Sequence, residues 1–336
     1  MNRSVWVSTI GAVTRYALMS LLIMVVLSLI NPGNLPLEVS LFFALFFGIV
    51  VGMYRELFGF AQIARWPLLA RIVAGLFILQ VLVMVAVVLN RIVLMGLHLN
   101  ITDRALSEIL FERAALNFYY KAWIYGLILL FLIELEKALG PGYISDLALG
   151  RYNKPKSEER TIMFLDLVDS TKIAEEIGDQ KFYDLINDSF RLLSRSILRF
   201  RGEVLKYVGD EVIITWKRSG NSLFLPFFLE FRQTLLNKSD FFLEKYGVIP
   251  EFKAGVHSGR VVVAYIGEIK KQKDLSGDAM NTAARICGLT SKMESELLIS
   301  ESTYSRLGEE KSHFSGPFSQ NVKGKAEPIL IYKFAT

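Results

Sequence analysis

The sequence predicts an α+β domain of ferredoxin-like or palm type, preceded by a helical transmembrane domain of about four helices. Three observations carry that expectation. The 336-residue chain is 52% hydrophobic with a mean hydropathy of +0.37, yet its long apolar runs all precede about residue 135. The remainder carries interspersed charge and reads in the order β-α-α-β-β-α-β-α-β, a sheet covered by helices on one face. Within that part Asp166 interrupts an otherwise apolar strand, where an unpaired carboxylate is costly. The expected divisions are a helical membrane region over 1–136, a connector over 137–157 and an α+β domain over 158–336.

A bilayer core takes about 17–25 apolar residues per helix. Ile10–Ile30 meets that length, with Arg15 snorkelling from its cytoplasmic end. Leu37–Met53 follows the breaker Asn31-Pro32-Gly33-Asn34, and Ile72–Leu89 is the cleanest run. Leu116–Ile133 carries Asn117 and Lys121 in its first turns, beside Tyr119, Tyr120 and Trp123, an interfacial aromatic belt. No small-residue cleavage site follows the first run, which therefore reads as a retained helix. The 31–36 loop has no Lys or Arg, whereas the next carries Arg55, Arg65 and Arg71. With that loop inside, four helices put both termini and the α+β domain in the cytoplasm, at an inner or plasma membrane.

The same basic residues, with Arg151, Lys154, Lys156 and Arg160 after the last span, account for the net charge of +5 without invoking nucleic acid. No span carries a central carboxylate or paired charge, so transport has no support. The single cysteine, Cys287, precludes an internal disulfide and reads as a small buried hydrophobe. Three histidines leave no basis for a structural zinc site. Gly140-Pro141-Gly142 ends the fourth helix, Tyr143–Gly150 reads as a short helix, and Lys154-Pro155-Lys156 as extended chain. This stretch reads equally as a passive linker or a coupling element.

Thr161–Val168 is a buried strand, and Ser170-Thr171 cap a helix from about Lys172. An amphipathic helix follows over Gln180–Phe200. Glu203–Trp216 reads as two strands joined at Gly209-Asp210. Asp166 and Asp210, on adjacent strands, are the minimum set for magnesium, which favours one or two carboxylates plus phosphate oxygens. A helix covers Leu223–Tyr246. Phe252–Ile266 reads as a strand pair about Ser258-Gly259, with His257 a strand residue. Asp278 caps a helix that brings Asn281 and Arg285 onto one face, an amide and a guanidinium suited to a ribose and a phosphate. Strands over Leu297–Ser300 and Pro328–Phe334 flank the basic turn Asn321–Lys325.

The motifs FLDLVDST, LKYVGDEV, KAGVHSG, DLSGDAMNTAAR and NVKGK occur in that order over about residues 158–335. Together they resemble the catalytic domain of the class III nucleotide cyclases. The resemblance implies an adenylate cyclase that converts ATP to cyclic AMP and pyrophosphate. Asp166 and Asp210 would bind two Mg2+ ions, with Mn2+ as an alternative. Arg285 would stabilise the α-phosphate in the transition state, Asn281 would orient the ribose, and Lys323 with Lys325 would hold the β- and γ-phosphates. Lys206 and Asp274 would read adenine, whose N1 acceptor and N6 donor they match. Because the family's sites are composite and this chain carries every role, the resemblance implies a homodimer through catalytic and membrane domains. Ser276 and Met280 depart from the family's usual residues without carrying chemistry. The alternatives are a guanylate or diguanylate cyclase, and a membrane receptor whose nucleotide domain binds without catalysis.

Overall fold

The computed structural model describes residues 66–96, 113–140, 143–217, 222–269, 271–321 and 327–335, with a few positions between 14 and 49. It divides into two compact units, Met1–Tyr143 and Ile144–Thr336.

In the first unit, α1 covers Leu68–Gly96 and α2 covers Arg113–Leu139. They run antiparallel: Arg71 Nη1 lies 2.7 Å from Glu134 Oε2, and Gly126 packs against Leu76 and Leu79 further along. Val73, Phe77 and Phe131 point outward. The expected spans 72–89 and 116–133 each fall within one of these helices; those at 10–30 and 37–53 lie almost wholly outside the described residues. The side chains of α1 are described only as far as Met84, and among the described residues no helix is long and apolar enough to cross a membrane.

The short helix α3 (Tyr143–Ala148) starts at the boundary and lies otherwise in the second unit. The strands of that unit are β1 (Lys156–Leu167), β2 (Glu203–Val208), β3 (Glu211–Lys217), β4 (Phe252–Ile266), β5 (Gln272–Ser276), β6 (Leu297–Ser300), β7 (Phe314–Gln320) and β8 (Ile329–Phe334). They form one sheet in the order β2-β3-β1-β4-β6-β8-β7, with β5 on β4. Among the described residues only β4 and β6 pair in parallel; the other ladders are antiparallel. The helices are α4 (Ser170–Ile177), α5 (Asp179–Arg199), α6 (Phe224–Leu236), α7 (Ser239–Tyr246), α8 (Asp278–Gly288) and the single turn α9 (Glu301–Tyr304).

The twofold alternation of strand side chains sorts the core into two faces. Met163, Leu165, Val212, Ile214, Ala254 and Val256 point one way, against Leu193 of α5 and Phe227 and Phe231 of α6. Ile162, Phe164, Ile213, Val261 and Val263 point the other way, under Ala279, Ala283 and Cys287 of α8. The sheet is thus covered on both faces, not one, as the continuous burial of β1 from Arg160 to Leu165 requires. Gly255 permits the second packing: a Cβ there would lie 2.1 Å from the Cys287 backbone nitrogen. Cys287 is buried as expected, and its thiol pKa is pushed up to about 12 by burial.

Several boundaries differ from the sequence reading. β1 begins at Lys156 because 156–160 pair with the second half of β4. Arg160, expected as a membrane-flanking charge, is instead fully buried and bound to Glu158 and Glu203. β4 is one continuous 15-residue strand, since β1 pairs across Ser258-Gly259 without a turn. The expected helix over 223–246 breaks at Asn237-Lys238, where the run Asn-Lys-Ser-Asp favours helix ends over helix interiors. Asp278 is the first residue of α8 rather than its cap, which is Gly277. Asp169, not Ser170 or Thr171, precedes α4, and it makes no side-chain cap.

Candidate active site

Asp166 is the penultimate residue of β1. Its partner in the β4 ladder is Lys253, and the neighbouring Leu165 pairs with Val212 of β3. This places it beside the turn of the β2–β3 hairpin, where Gly209 takes a φ of 63°, a left-handed value that glycine accommodates without strain. That turn holds Asp210 at the hairpin tip. The two carboxylates interact: burial raises the pKa of Asp166, and the charge of Asp210 raises it further. Lys253 opposes this, its Nζ lying 3.4 Å from Asp166 Oδ2. Glu211 joins the cluster, its pKa raised by burial and then by Asp166 and Asp210.

This concentration of negative charge suits a cation. Hard carboxylate oxygens are the ligands magnesium prefers, and two of them leave positions for water and phosphate. Among the described residues no group of three or more His, Cys, Asp or Glu is arranged to hold a metal ion; Asp166 and Asp210 would offer two carboxylates. Lys253 and Glu211 were not singled out in the sequence. The signal for Lys253 was its place opposite Asp166, visible only once the register is known.

The second cluster lies on β2 and β5. Lys206 Nζ is 3.3 Å from Asp274 Oδ1, and both side chains keep partial access to solvent. β5 itself was not expected as a strand, because QKDLS has neither the length nor the apolar alternation that marks one. Asp274 is placed by pairing with Ala264 of β4.

Asn281 and Arg285 sit four residues apart on α8, Asn281 exposed and Arg285 half-buried. Among the described residues, no hydrogen bond or ion pair links Asp166 or Asp210 to Lys206, Asp274, Asn281 or Arg285. One chain thus carries an acidic pair, Asp166 and Asp210, beside the Lys206–Asp274 pair and the polar face of α8. Lys323 and Lys325 lie outside the described residues.

Residues 152–335 match a family model described as the adenylate and guanylate cyclase catalytic domain. The chain is 31% identical over 182 residues to adenylate cyclase 2 of Rhizobium meliloti (strain 1021), covering 53% of this chain and 50% of that protein. It is 29% identical over 181 residues to an adenylate cyclase of Anabaena cylindrica, covering 52% of this chain and 36% of the other. The chain therefore spans about half the length, or less, of these curated relatives. A bacterial light-regulated adenylyl cyclase structure aligns with a TM-score of 0.55 at 21% identity, over 70% of this chain and 72% of that one. The guanylyl cyclase Cya2 aligns with a TM-score of 0.50 at 21% identity, over 54% of this chain and 93% of the other. At these identities the structural likeness concerns the fold alone.

Proposed function

Because the chain belongs to the adenylate and guanylate cyclase catalytic domain family, we propose that it is a membrane-anchored adenylate cyclase, closing ATP to 3′,5′-cyclic AMP with release of pyrophosphate. The observation that carries the choice of base is the Lys206–Asp274 pair, already held at 3.3 Å. Adenine offers an acceptor at N1 and a donor at N6, which an ammonium and a carboxylate satisfy. Guanine offers the reverse pattern and would leave both groups opposite like partners. Polar pockets discriminate most strongly in this way, through groups left unpaired.

Asp166 and Asp210 would hold Mg2+, or Mn2+ in its place. Bound there, the metal supplies Lewis acidity at the ribose 3′-oxygen and countercharge to the triphosphate. The protein's own groups do the rest by positioning and electrostatics. Arg285 faces the α-phosphate, where its guanidinium stabilises charge that develops during in-line attack. Asn281 orients the ribose so that the 3′-oxygen and α-phosphorus are held in line. Lys323 and Lys325 hold the β- and γ-phosphates.

Two copies of the chain complete the work. The acidic half-site of one protomer meets the base half-site, Asn281 and Arg285 of its partner, giving two equivalent sites about a twofold axis. Anchoring is supported by the apolar runs before residue 135 and by the outward Val73, Phe77 and Phe131. The Arg71–Glu134 pair puts the start of α1 and the end of α2 together, in keeping with both ends lying on the cytoplasmic side.

Incubating the purified full-length protein with Mg2+ and either ATP or GTP tests the reading. Equimolar cyclic AMP and pyrophosphate from ATP are expected. Cyclic di-GMP from GTP with no cyclic AMP from ATP would replace this reading with a diguanylate cyclase, and no product from either would leave a binding domain.

A further inference from the structure

The Lys206–Asp274 pair is the outer of two ion-pair rungs between β2 and β5. The inner rung is Lys273 Nζ to Glu203 Oε1 at 2.7 Å. Among the described residues no backbone ladder joins β2 to β5, which pair with β3 and β4 respectively. Side chains therefore set the gap between the two strands. In a regular strand, residues three apart point to opposite faces. The register shift between Val204 and Lys206 is the irregularity that lets both Glu203 and Lys206 reach β5.

The inner rung is better enclosed at its lysine: Lys273 is 13% exposed against 38% for Lys206, while Glu203 and Asp274 are alike. Glu203 also accepts a hydrogen bond from the fully buried Arg160, Nη1 to Oε2 at 2.9 Å, and Arg160 Nε donates to Glu158 at 3.0 Å. Burial alone would lift the Glu203 pKa, but Lys273 and Arg160 outweigh it and hold this carboxyl below its ordinary range. Lys273 makes a second ion pair, 3.1 Å to Oδ2 of the buried Asp146 on α3. Its ammonium also lies 4.6 Å from the ring centroid of Tyr152. Tyr152 is buried, donates its hydroxyl to Glu158 at 2.8 Å, and accepts at its carbonyl from the Tyr265 backbone N–H at 3.4 Å. Asp146 and Tyr152 both precede β1, so the segment ahead of the sheet grips the inner rung from two sides.

Resting on the reading of Lys206 and Asp274 as the base-reading pair, we propose that Lys273 is its positioning residue and that Asp146 holds Lys273 in place. Lys273 is joined to Asp274 by a single peptide bond and tied to β2 three residues from Lys206. It fixes the distance and angle at which the two base-reading groups meet the purine. The segment ahead of β1 thereby takes part in nucleotide selection, although none of its residues belongs to the base half-site. Loss of the Asp146 carboxylate leaves Lys273 paired with Glu203 alone among the described residues, which draws it toward β2 and shifts β5 against that strand.

The test is steady-state kinetics of full-length Asp146→Asn and Asp146→Glu with ATP and GTP, with Lys206→Glu/Asp274→Cys in parallel and thermal melting to confirm folding. Asp146→Asn should raise KM for ATP and narrow the ATP-over-GTP preference, each about fivefold. Its kcat per folded molecule should change less than its KM, and Asp146→Glu should restore both quantities. Lys273→Gln should do the same more strongly; where it does not fold, Asp146→Asn decides alone. A changed preference in the Lys206/Asp274 protein with an unchanged one in folded Asp146→Asn would overturn the brace and spare the base reading. An unchanged preference in the Lys206/Asp274 protein would overturn both.

Discussion

At Asp166 the demands of folding and of chemistry oppose each other. Its folded pKa lies above its ordinary value, first because it is partly buried and then because Asp210 is near. The ionised carboxylate therefore lowers stability at neutral pH, and the penalty fades as pH falls through the folded value. Asp166→Asn should raise the melting temperature of the metal-free protein at pH 7.5, measured in EDTA, while abolishing cyclase activity. The gain should shrink on acidification, and a lower melting temperature at pH 7.5 would show that Lys253 overcompensates the repulsion. The base-reading pair makes the second prediction at this scale. Lys206→Glu with Asp274→Cys should cut kcat/KM for ATP by about 10²-fold or more while leaving the melt nearly unchanged. Asp166, Lys206 and Asp274 could be picked out from the sequence because motif order marks them. Lys273 could not, because its importance lies in partners 70 and 127 positions away, Glu203 and Asp146.

At the scale of elements, β4 and α8 carry the arrangement. Gly255 stands where α8 crosses the strand, and a side chain there meets Cys287 backbone rather than a flexible tip. Gly255→Ala should cost about 1–3 kcal/mol in urea denaturation by overpacking. It should also lower activity, because α8 carries Asn281 and Arg285. Full stability in that protein would mean that α8 docks less closely than described. In the sequence α8 is marked by Asp278, read as its cap, with Asn281 and Arg285 on one face, and β2–β3 by the Gly209-Asp210 turn. The sequence reading misjudged β4 because Ser-Gly is a common turn signal, and only pairing with β1 along the whole length overrides it. It missed β5 for the converse reason: a short polar strand exists through its neighbour, not through its own pattern.

For the whole molecule, shared sites predict complementation. Co-expressed Asp166→Ala and Arg285→Ala chains are each inactive alone, since each removes a group from both sites of a homodimer. Mixed dimers would concentrate both lesions in one site and leave the other intact. About a quarter to a half of wild-type activity per dimer is expected for a random or fully mixed population, given symmetric pairing. No recovery in dimers shown to contain both chains would refute shared sites. Composition changes character near residue 135, where apolar runs give way to interspersed charge. The part that residues 144–157 play in the second unit is not legible there, since Asp146 and Tyr152 look like ordinary linker residues until the sheet closes around them.

The unbroken course of β4 also has to curl. Lys253 pairs with Asp166 near one end of it, and Ala264, eleven residues on, pairs with Asp274. Lys206, level with Gly255 through Ile213 and Phe164, still reaches Asp274 at 3.3 Å. A straight strand would set those two levels about 30 Å apart, beyond the reach of any side chain. The bend of β4 is therefore what closes the pair, and a change that straightened it would part Lys206 from Asp274 without touching either.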